Sequence, residues 1–440
     1  MRRRLSNRWT LATASALALA WAVPALAQPD DADAWRADAD ALVAVLEAEH
    51  ENPFFHTPEA EFRAAIEAYK ADIPQMDRAE RIAGLAHILA LVGDGHSWMP
   101  MHALPFDGLP PGPGFRSLPV RFELFDDALY IVGATGEWAG LAGARVTAIG
   151  HVDTEQAVDR AMTLLPTDAV NFAREFVAEW LMQAELLTAL DLALNAGNIS
   201  VTVEQDGHAA TVVMHPLPAD AVYDWIFSMD SGPSGIDDWV TAAAQQPLWQ
   251  RPATEPFTVQ RLPEAAYLRI DQIQNGTELS YAESAQAAVE AAEELDRPTL
   301  VLDLRRCLGG DGSLNAAFMA AITASDVLMQ EGRIQVLTSR QTHSAAIMLV
   351  SDLEQQTPAR FYGQATADRP NHHGETNIFV TPNSLLPVIH ASEYYQTSNA
   401  DDDRRFVTPV VVIPYLFSDY QTGTDPVLAA ALADLEGQDP

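Results

Sequence analysis

From residue 30 to about 92, apolar residues recur at intervals of three and four, as in Trp35, Leu42, Val45 and Leu46 and again in Ile82, Leu85, Leu89 and Val92. That spacing lines one face of a helix and predicts three or so helices. From Leu118 the period shortens to two, predicting strands near 120–124, 129–132 and 145–149. A long helical stretch, about 170–196, follows, and then strands at 199–203 and 210–214. Between the helical and strand-rich parts, residues 104–114 carry Pro105, Pro110, Pro111 and Pro113 and read as a linker. This order fits a small β-rich module with a helical insertion, ending near Pro218.

Beyond it, strand-like and helix-like segments alternate: 266–270, 281–294, 299–304, 314–322, 334–338 and 345–353. Such alternation predicts βα units and a largely parallel sheet, an α/β core. Later apolar runs near 377–380, 386–389 and 410–413 are expected to extend that sheet.

Composition changes the picture at the N-terminus. Arg2, Arg3, Arg4 and Arg8 precede an apolar run from Leu11 to Val23, and Ala25-Leu26-Ala27 supplies small residues, the pattern of a secretory signal peptide over 1–27 cleaved after Ala27. The run is shorter than the roughly 20 residues that span a bilayer, so no stable membrane anchor is expected after cleavage, and the mature chain is expected in the periplasm or the medium. Lys+Arg number 26 and Asp+Glu 61, a formal charge of 26 − 61 = −35, and loss of the four arginines makes it 22 − 61 = −39. A field of that sign repels phosphate backbones and anionic lipid, so nucleic acid is not expected as a partner. The single cysteine, Cys307, cannot form an internal disulfide and reads as a buried thiol beside Leu308.

Two segments could carry chemistry. Apolar residues 300–302 run through Asp303-Leu304-Arg305-Arg306-Cys307-Leu308 into Gly309-Gly310 just ahead of a helix. Paired glycines there either make an ordinary tight turn or present backbone N–H groups to a ligand. In the second, Thr342-His343-Ser344-Ala345-Ala346, a serine stands between a strand and an apolar helix. Such a serine is ordinarily an N-cap, yet the same position exposes Oγ beside free N–H donors, as a nucleophile requires.

Taken in order, these segments resemble the tail-specific, or C-terminal processing, serine protease family. The matching pieces are Gly93-Asp94-Gly95-His96-Ser97, the Leu302–Arg305 run with Gly309-Gly310, and Thr342–Ala346. Gly363-Gln364-Ala365-Thr366, Pro370-Asn371-His372-His373-Gly374-Glu375 and Asp403-Arg404-Arg405-Phe406 with Pro409 follow. The resemblance implies a crotonase-like protease core over 252–435, an N-terminal helical domain (28–103) as cap, and a PDZ-like module (115–218) carrying the helical insertion. It places the nucleophile on Ser344 and the oxyanion donors on the Ala345 N–H and on Gly309 or Gly310.

The base departs from the pattern. Where family members with a Ser–Lys dyad carry lysine, this chain has Arg369, which stays protonated and cannot accept a proton. Lys70 is the only lysine, and its setting reads as a surface helix. A tricorn-like arrangement implies His96 as base, with Ser97 as a supporting hydroxyl and an acid from Asp401-Asp402-Asp403, of which Asp402 is chosen to orient it. A neutral imidazole suits the task, while a cap on the preceding helix is the plainer role for His96. His372 and His373 are alternative bases, and Asp403 could pair with Arg404 or Arg405. No zinc-type spacing such as His-Glu-x-x-His occurs, and no metal or cofactor is implied. The function implied is hydrolysis of peptide bonds in exported polypeptides through a Ser344 acyl-enzyme. A catalytically silent peptide- or ligand-binding protein on the same fold, or an esterase using the same residues, are the alternatives.

Overall fold

The computed structural model describes residues 31–101, 112–219 and 238–436. The expected signal peptide and most of the proline-rich linker lie outside the described residues. Three N-terminal helices, α1 (Ala32–Glu49), α2 (Glu59–Asp72) and α3 (Arg78–Ala90), follow the apolar periodicity. Asp77 and Glu80 start α3 with a reciprocal capping box, satisfying two otherwise orphan N–H groups. Their inward stripes, including Trp35, Leu42, Phe62, Ile82 and Leu89, are buried.

The next part of the chain gives β1 (Val120–Leu124), β2 (Leu129–Ala134), β3 (Arg145–Ile149) and β4 (Val152–Asp153). Helices α4 (Thr154–Met162), α5 (Val170–Trp180) and α6 (Ala184–Ala189) come before β5 (Ile199–Gln205), β6 (His208–Met214) and β7 (Val240–Thr241). The strands form an antiparallel sheet ordered β1-β2-β3-β5-β6, with β4 on β3 and β7 on β2. The single helical stretch expected over 170–196 is broken between α5 and α6. There the Met182 carbonyl accepts the Leu118 N–H at 2.8 Å and the Ala184 N–H donates to the Arg116 carbonyl at 2.8 Å, so a distant segment claims the backbone. This sheet and the three N-terminal helices share one continuous apolar core.

The remaining elements are β8 (Phe257–Arg261), β9 (Ala266–Ile270), α7 (Tyr281–Glu293), β10 (Leu300–Asp303), α8 (Asn315–Thr323), β11 (Ile334–Thr338), α9 (Ala345–Gln356) and β12 (Arg360–Gly363). After them come β13 (His372–Val380), β14 (Pro387–Tyr395), β15 (Val411–Val412), α10 (Phe417–Thr422) and α11 (Pro426–Glu436). The second sheet runs β15-β12-β11-β10-β9-β8 and is parallel apart from β8. Residues Leu300 and Leu302 pack towards α7, α8 and α9, while Val301 packs towards α11, so both faces are covered and β10 and β11 are wholly buried.

The expectation for the later strands needs correction. Only β15 extends the parallel sheet; β13 and β14 pair with each other as a separate antiparallel hairpin. Leu386 and Val388 at its far end join the N-terminal core, the Asp38 carboxylate accepts the Asn383 and Ser384 N–H groups, and Trp98 exchanges two backbone bonds with Ile389 at 3.0 and 3.1 Å. The hairpin thus ties the segment after α3, which carries His96, to the C-terminal core.

Candidate active site

Strands β10 and β11 are parallel neighbours, and the loops leaving their carboxyl ends are sewn together. Ser339 Oγ donates to the Arg305 carbonyl (2.6 Å), Thr342 Oγ1 to the Leu304 carbonyl (2.9 Å), and the His343 N–H to the Cys307 carbonyl (3.0 Å). Ser344 emerges at the start of α9 with φ 56° and ψ −128°, and its side chain makes no capping bond. A positive φ at a non-glycine residue costs free energy and is held only by the structure around it. The ordinary N-cap role is therefore refused, and Oγ is left for other work.

Gly309 lies against this serine. A Cβ there would come 2.6 Å from Ser344 Cβ and 3.1 Å from the Ala345 nitrogen, and both Gly309 (φ +113°) and Gly310 (φ +134°) hold conformations that side chains disfavour. The Ile273 N–H donates to the Gly309 carbonyl and the Asp311 N–H to the Ile273 carbonyl, each at 2.8 Å. Those bonds fix the glycine backbone without using the N–H of Gly309 or Gly310. The Ala345 N–H is the first of α9, which no helical carbonyl can reach. Backbone donors and a non-capping hydroxyl thus share one corner of the fold.

His96 follows a turn held by Asp94, whose Oδ1 accepts the His96 N–H (2.8 Å) and whose Oδ2 meets His50 Nε2 (3.1 Å). Helix α3 has already ended at Ala90, so His96 is not its cap. Its ring stacks on that of His343 at 4.3 Å and lies nearly parallel to that of His372 at 5.8 Å. Both His96 ring nitrogens and His343 Nε2 are buried, and none makes a well-aligned hydrogen bond among the described residues, although the His373 backbone lies close to the His96 ring. Burial holds His96 well below the ordinary histidine value, with the neighbouring rings of His343 and His372 adding to it, and pushes His343 down to about 3. Both rings are neutral at neutral pH.

The carboxylate beside them is Asp368. It accepts the Gly95 N–H (3.0 Å) and the Arg369 N–H (2.7 Å), and burial pushes it up to about 7. One donor atom each from His96, His343 and Asp368 lies within 4.8 Å of the others, so these three residues could hold a metal ion.

Asp402 sits differently. Its carboxylate takes bonds from Arg404 Nη2 (2.8 Å) and Ser398 Oγ (2.7 Å), the Arg404 bonds hold it far below the usual carboxylate range, and no histidine pairs with it among the described residues. It lines a cleft shared with Asp94, Asp368, His372 and His373. Arg404 pairs with Asp402 and Glu354, and Arg405 with Asp168; the alternative pairing of either with Asp403 is not seen among the described residues. Ser97 Oγ accepts the Ala391 N–H (3.2 Å) and so struts the hairpin. Arg369 is committed to Asp168, and Lys70 to Asp40 and Glu67 on the surface of α2. His372 Nδ1 meets the Pro370 carbonyl (3.0 Å), and the His373 ring packs on Phe55 and His50. Cys307 is buried, its thiol pushed up to about 12 by that burial. Sequence reasoning passed over His343 and Asp368, although one directly precedes Ser344 and the other Arg369.

No family model and no curated protein matches the sequence. Solved structures do match the fold. Mature CPAF complexed with lactacystin gives a TM-score of 0.60 at 11% identity over 92% of this chain and 98% of that chain, and mature CPAF gives 0.58 at 10% over 92% and 96%. The chain has the fold of CPAF. The photosystem II D1 C-terminal processing protease is a more distant match, with a TM-score of 0.38 at 14% identity over 86% of this chain and 93% of that one. The α/β class expected from the alternating segments is thus the observed one, shared with CPAF over 92% of this chain.

Proposed function

We propose that this chain is a serine hydrolase that cleaves peptide bonds in exported polypeptides, with Ser344 as nucleophile and His96 as general base. The observation that carries the reading is the backbone of Ser344: a strained, non-capping serine pressed against Gly309 at the first N–H groups of a helix. In this reading Ser344 Oγ attacks the substrate carbonyl carbon while its proton passes to His96. The Ala345 N–H and an N–H of the Gly309-Gly310 pair stabilise the oxyanion. His96 returns the proton to the leaving amine, and water activated by the same imidazole releases the acyl group. Asp368, rather than Asp402, is the acid assigned to position the histidine pair: it is buried, and donor atoms of the three residues lie within 4.8 Å of one another, a gap that closes only in the working enzyme. The arginine-led apolar N-terminus supports export, and no described helix is long and apolar enough to cross a membrane. CPAF, one of the fold relatives, forms a complex with lactacystin, and the shared fold agrees with this reading without naming a substrate.

The test is hydrolysis of an unfolded polypeptide by wild type, Ser344→Ala and His96→Ala, with a short-chain ester alongside. Wild type should cut the polypeptide and both variants should lose activity by about 10³-fold or more. Cleavage of the ester alone would replace the peptidase with an esterase, and equal cleavage by Ser344→Ala would end the proposal.

A further inference from the structure

Three buried ring nitrogens that make no well-aligned hydrogen bond among the described residues are an unusual feature of a protein interior, because an unmade hydrogen bond there costs free energy that a ligand can recover. They belong to His96 and His343, which are 4% and 5% exposed, and the third group beside them, Asp368, is 2% exposed. One donor atom from each lies within 4.8 Å of the other two. The space between them is kept by a glycine: a Cβ on Gly95 would stand 2.7 Å from His343 Nε2 and 3.0 Å from Asp368 Oδ2. Two imidazoles and a carboxylate are a donor set for a borderline-soft divalent ion, and three protein ligands leave a fourth position for water. Zinc bonds of about 2.0–2.1 Å place tetrahedral donor atoms about 3.3 Å apart. Closing from 4.8 Å therefore asks for shifts of up to about 1.5 Å, and the His96 and His343 rings, stacked at 4.3 Å, must also turn about Cβ–Cγ so that their in-plane lone pairs converge on the ion.

We propose that His96, His343 and Asp368 form a binding site for a divalent transition metal ion such as zinc, and that the bound ion switches the enzyme off by occupying the lone pair of the general base. The site rests on the three side chains alone; the switch also rests on the reading of His96 as base. Binding is an equilibrium, so removing the ion restores the neutral imidazole of His96. No bond to carbon is made or broken by the ion.

The probe is zinc itself. Chelator-treated full-length protein is titrated with zinc by calorimetry and with cobalt by visible absorption, using wild type, Ser344→Ala, Gly95→Ala and His343→Asn. Gly95→Ala keeps every ligand and adds one methyl group to the space between them. Wild type and Ser344→Ala should each bind one ion per chain, and Gly95→Ala and His343→Asn should bind at least about tenfold more weakly. Wild-type hydrolysis should fall in step with occupancy and return on chelation. No saturable binding by wild type, or unchanged affinity in both variants, overturns the site. Undiminished or increased hydrolysis by metal-loaded wild type overturns the switch. If wild type binds the ion but hydrolyses no faster than Ser344→Ala, the hydrolase reading fails while the site stands.

Discussion

Replacing Gly309 by alanine perturbs the proposed centre through a single methyl group. Its Cβ would lie 2.6 Å from Ser344 Cβ, where ordinary van der Waals contact begins at 3.4 Å, so the two loops must part by at least 3.4 − 2.6 = 0.8 Å. A misplacement near 1 Å costs about 10²-fold, and losing an oxyanion donor costs about 10²–10³-fold, so kcat should drop by about that factor, or about 3–4 kcal/mol of transition-state stabilisation. The φ of +113° adds a folding penalty of about 1–3 kcal/mol that the neighbouring loops must absorb. Gly207→Ala is the control: it sits at φ +75° in the exposed β5–β6 turn with nothing within 4 Å of its Cβ, so it should cost about 1–2 kcal/mol of stability and leave kcat unchanged. The assay pairs kcat on an unfolded polypeptide with urea unfolding of both variants. A folded Gly309→Ala protein with wild-type kcat would refute the placement of the oxyanion donors.

Further outcomes follow from the same geometry. Because burial lowers the His96 pKa, its imidazole stays neutral below the ordinary value near 6.5; the acid limb of kcat/KM should fall below that pH, and a limb at or above it would exclude His96 as base. Asp368 has a folded pKa of about 7, raised above the unfolded value of 3.8, so the native state binds the extra proton between those values and the contribution of Asp368 to stability falls as pH rises through that window. His343, lowered to about 3, works in the opposite direction between about 3 and 6.5, so the check is the difference in urea midpoint between wild type and Asp368→Asn, which should shift against wild type from pH 4 to 7. Asp368→Asn should reduce kcat by tenfold or more while Asp402→Asn, whose carboxylate serves Arg404, changes it less than threefold; the reverse order would return the positioning role to Asp402. Arg305 bridges Asp303 and Asp425 in the interior and lies 4.7 Å over Trp249, so Arg305→Ala should cost about 3–5 kcal/mol in denaturant unfolding.

Much of the core was legible because its strands are buried on both faces and separated by amphipathic helices, so β9 and β11 coincide with apolar runs of the sequence. What escaped depended on distant pairing. The break between α5 and α6 is made by residues 116–118, and the hairpin β13–β14 left the sheet because its apolar side finds the N-terminal helices. At the site, Ser344 and the glycine pair could be named from their order along the chain, but Asp368 could not. A lone acid in a turn looks solvated until the fold buries it, whereas the run at 401–403 draws the eye with charge that the structure spends on Arg404. His343 was hidden in the same way, its importance lying in the ring stacked on His96 from a segment far off in sequence.

The central claim is that Ser344 is a nucleophile activated by His96, and covalent labelling reads it directly. Wild type, Ser344→Ala and His96→Ala are treated with a fluorophosphonate and the adduct is located by peptide mass spectrometry. The account predicts one adduct on Ser344 of wild type, none on Ser344→Ala, and labelling of His96→Ala slowed by about 10²-fold or more. An unlabelled wild type, or equal labelling of Ser344→Ala, would contradict it.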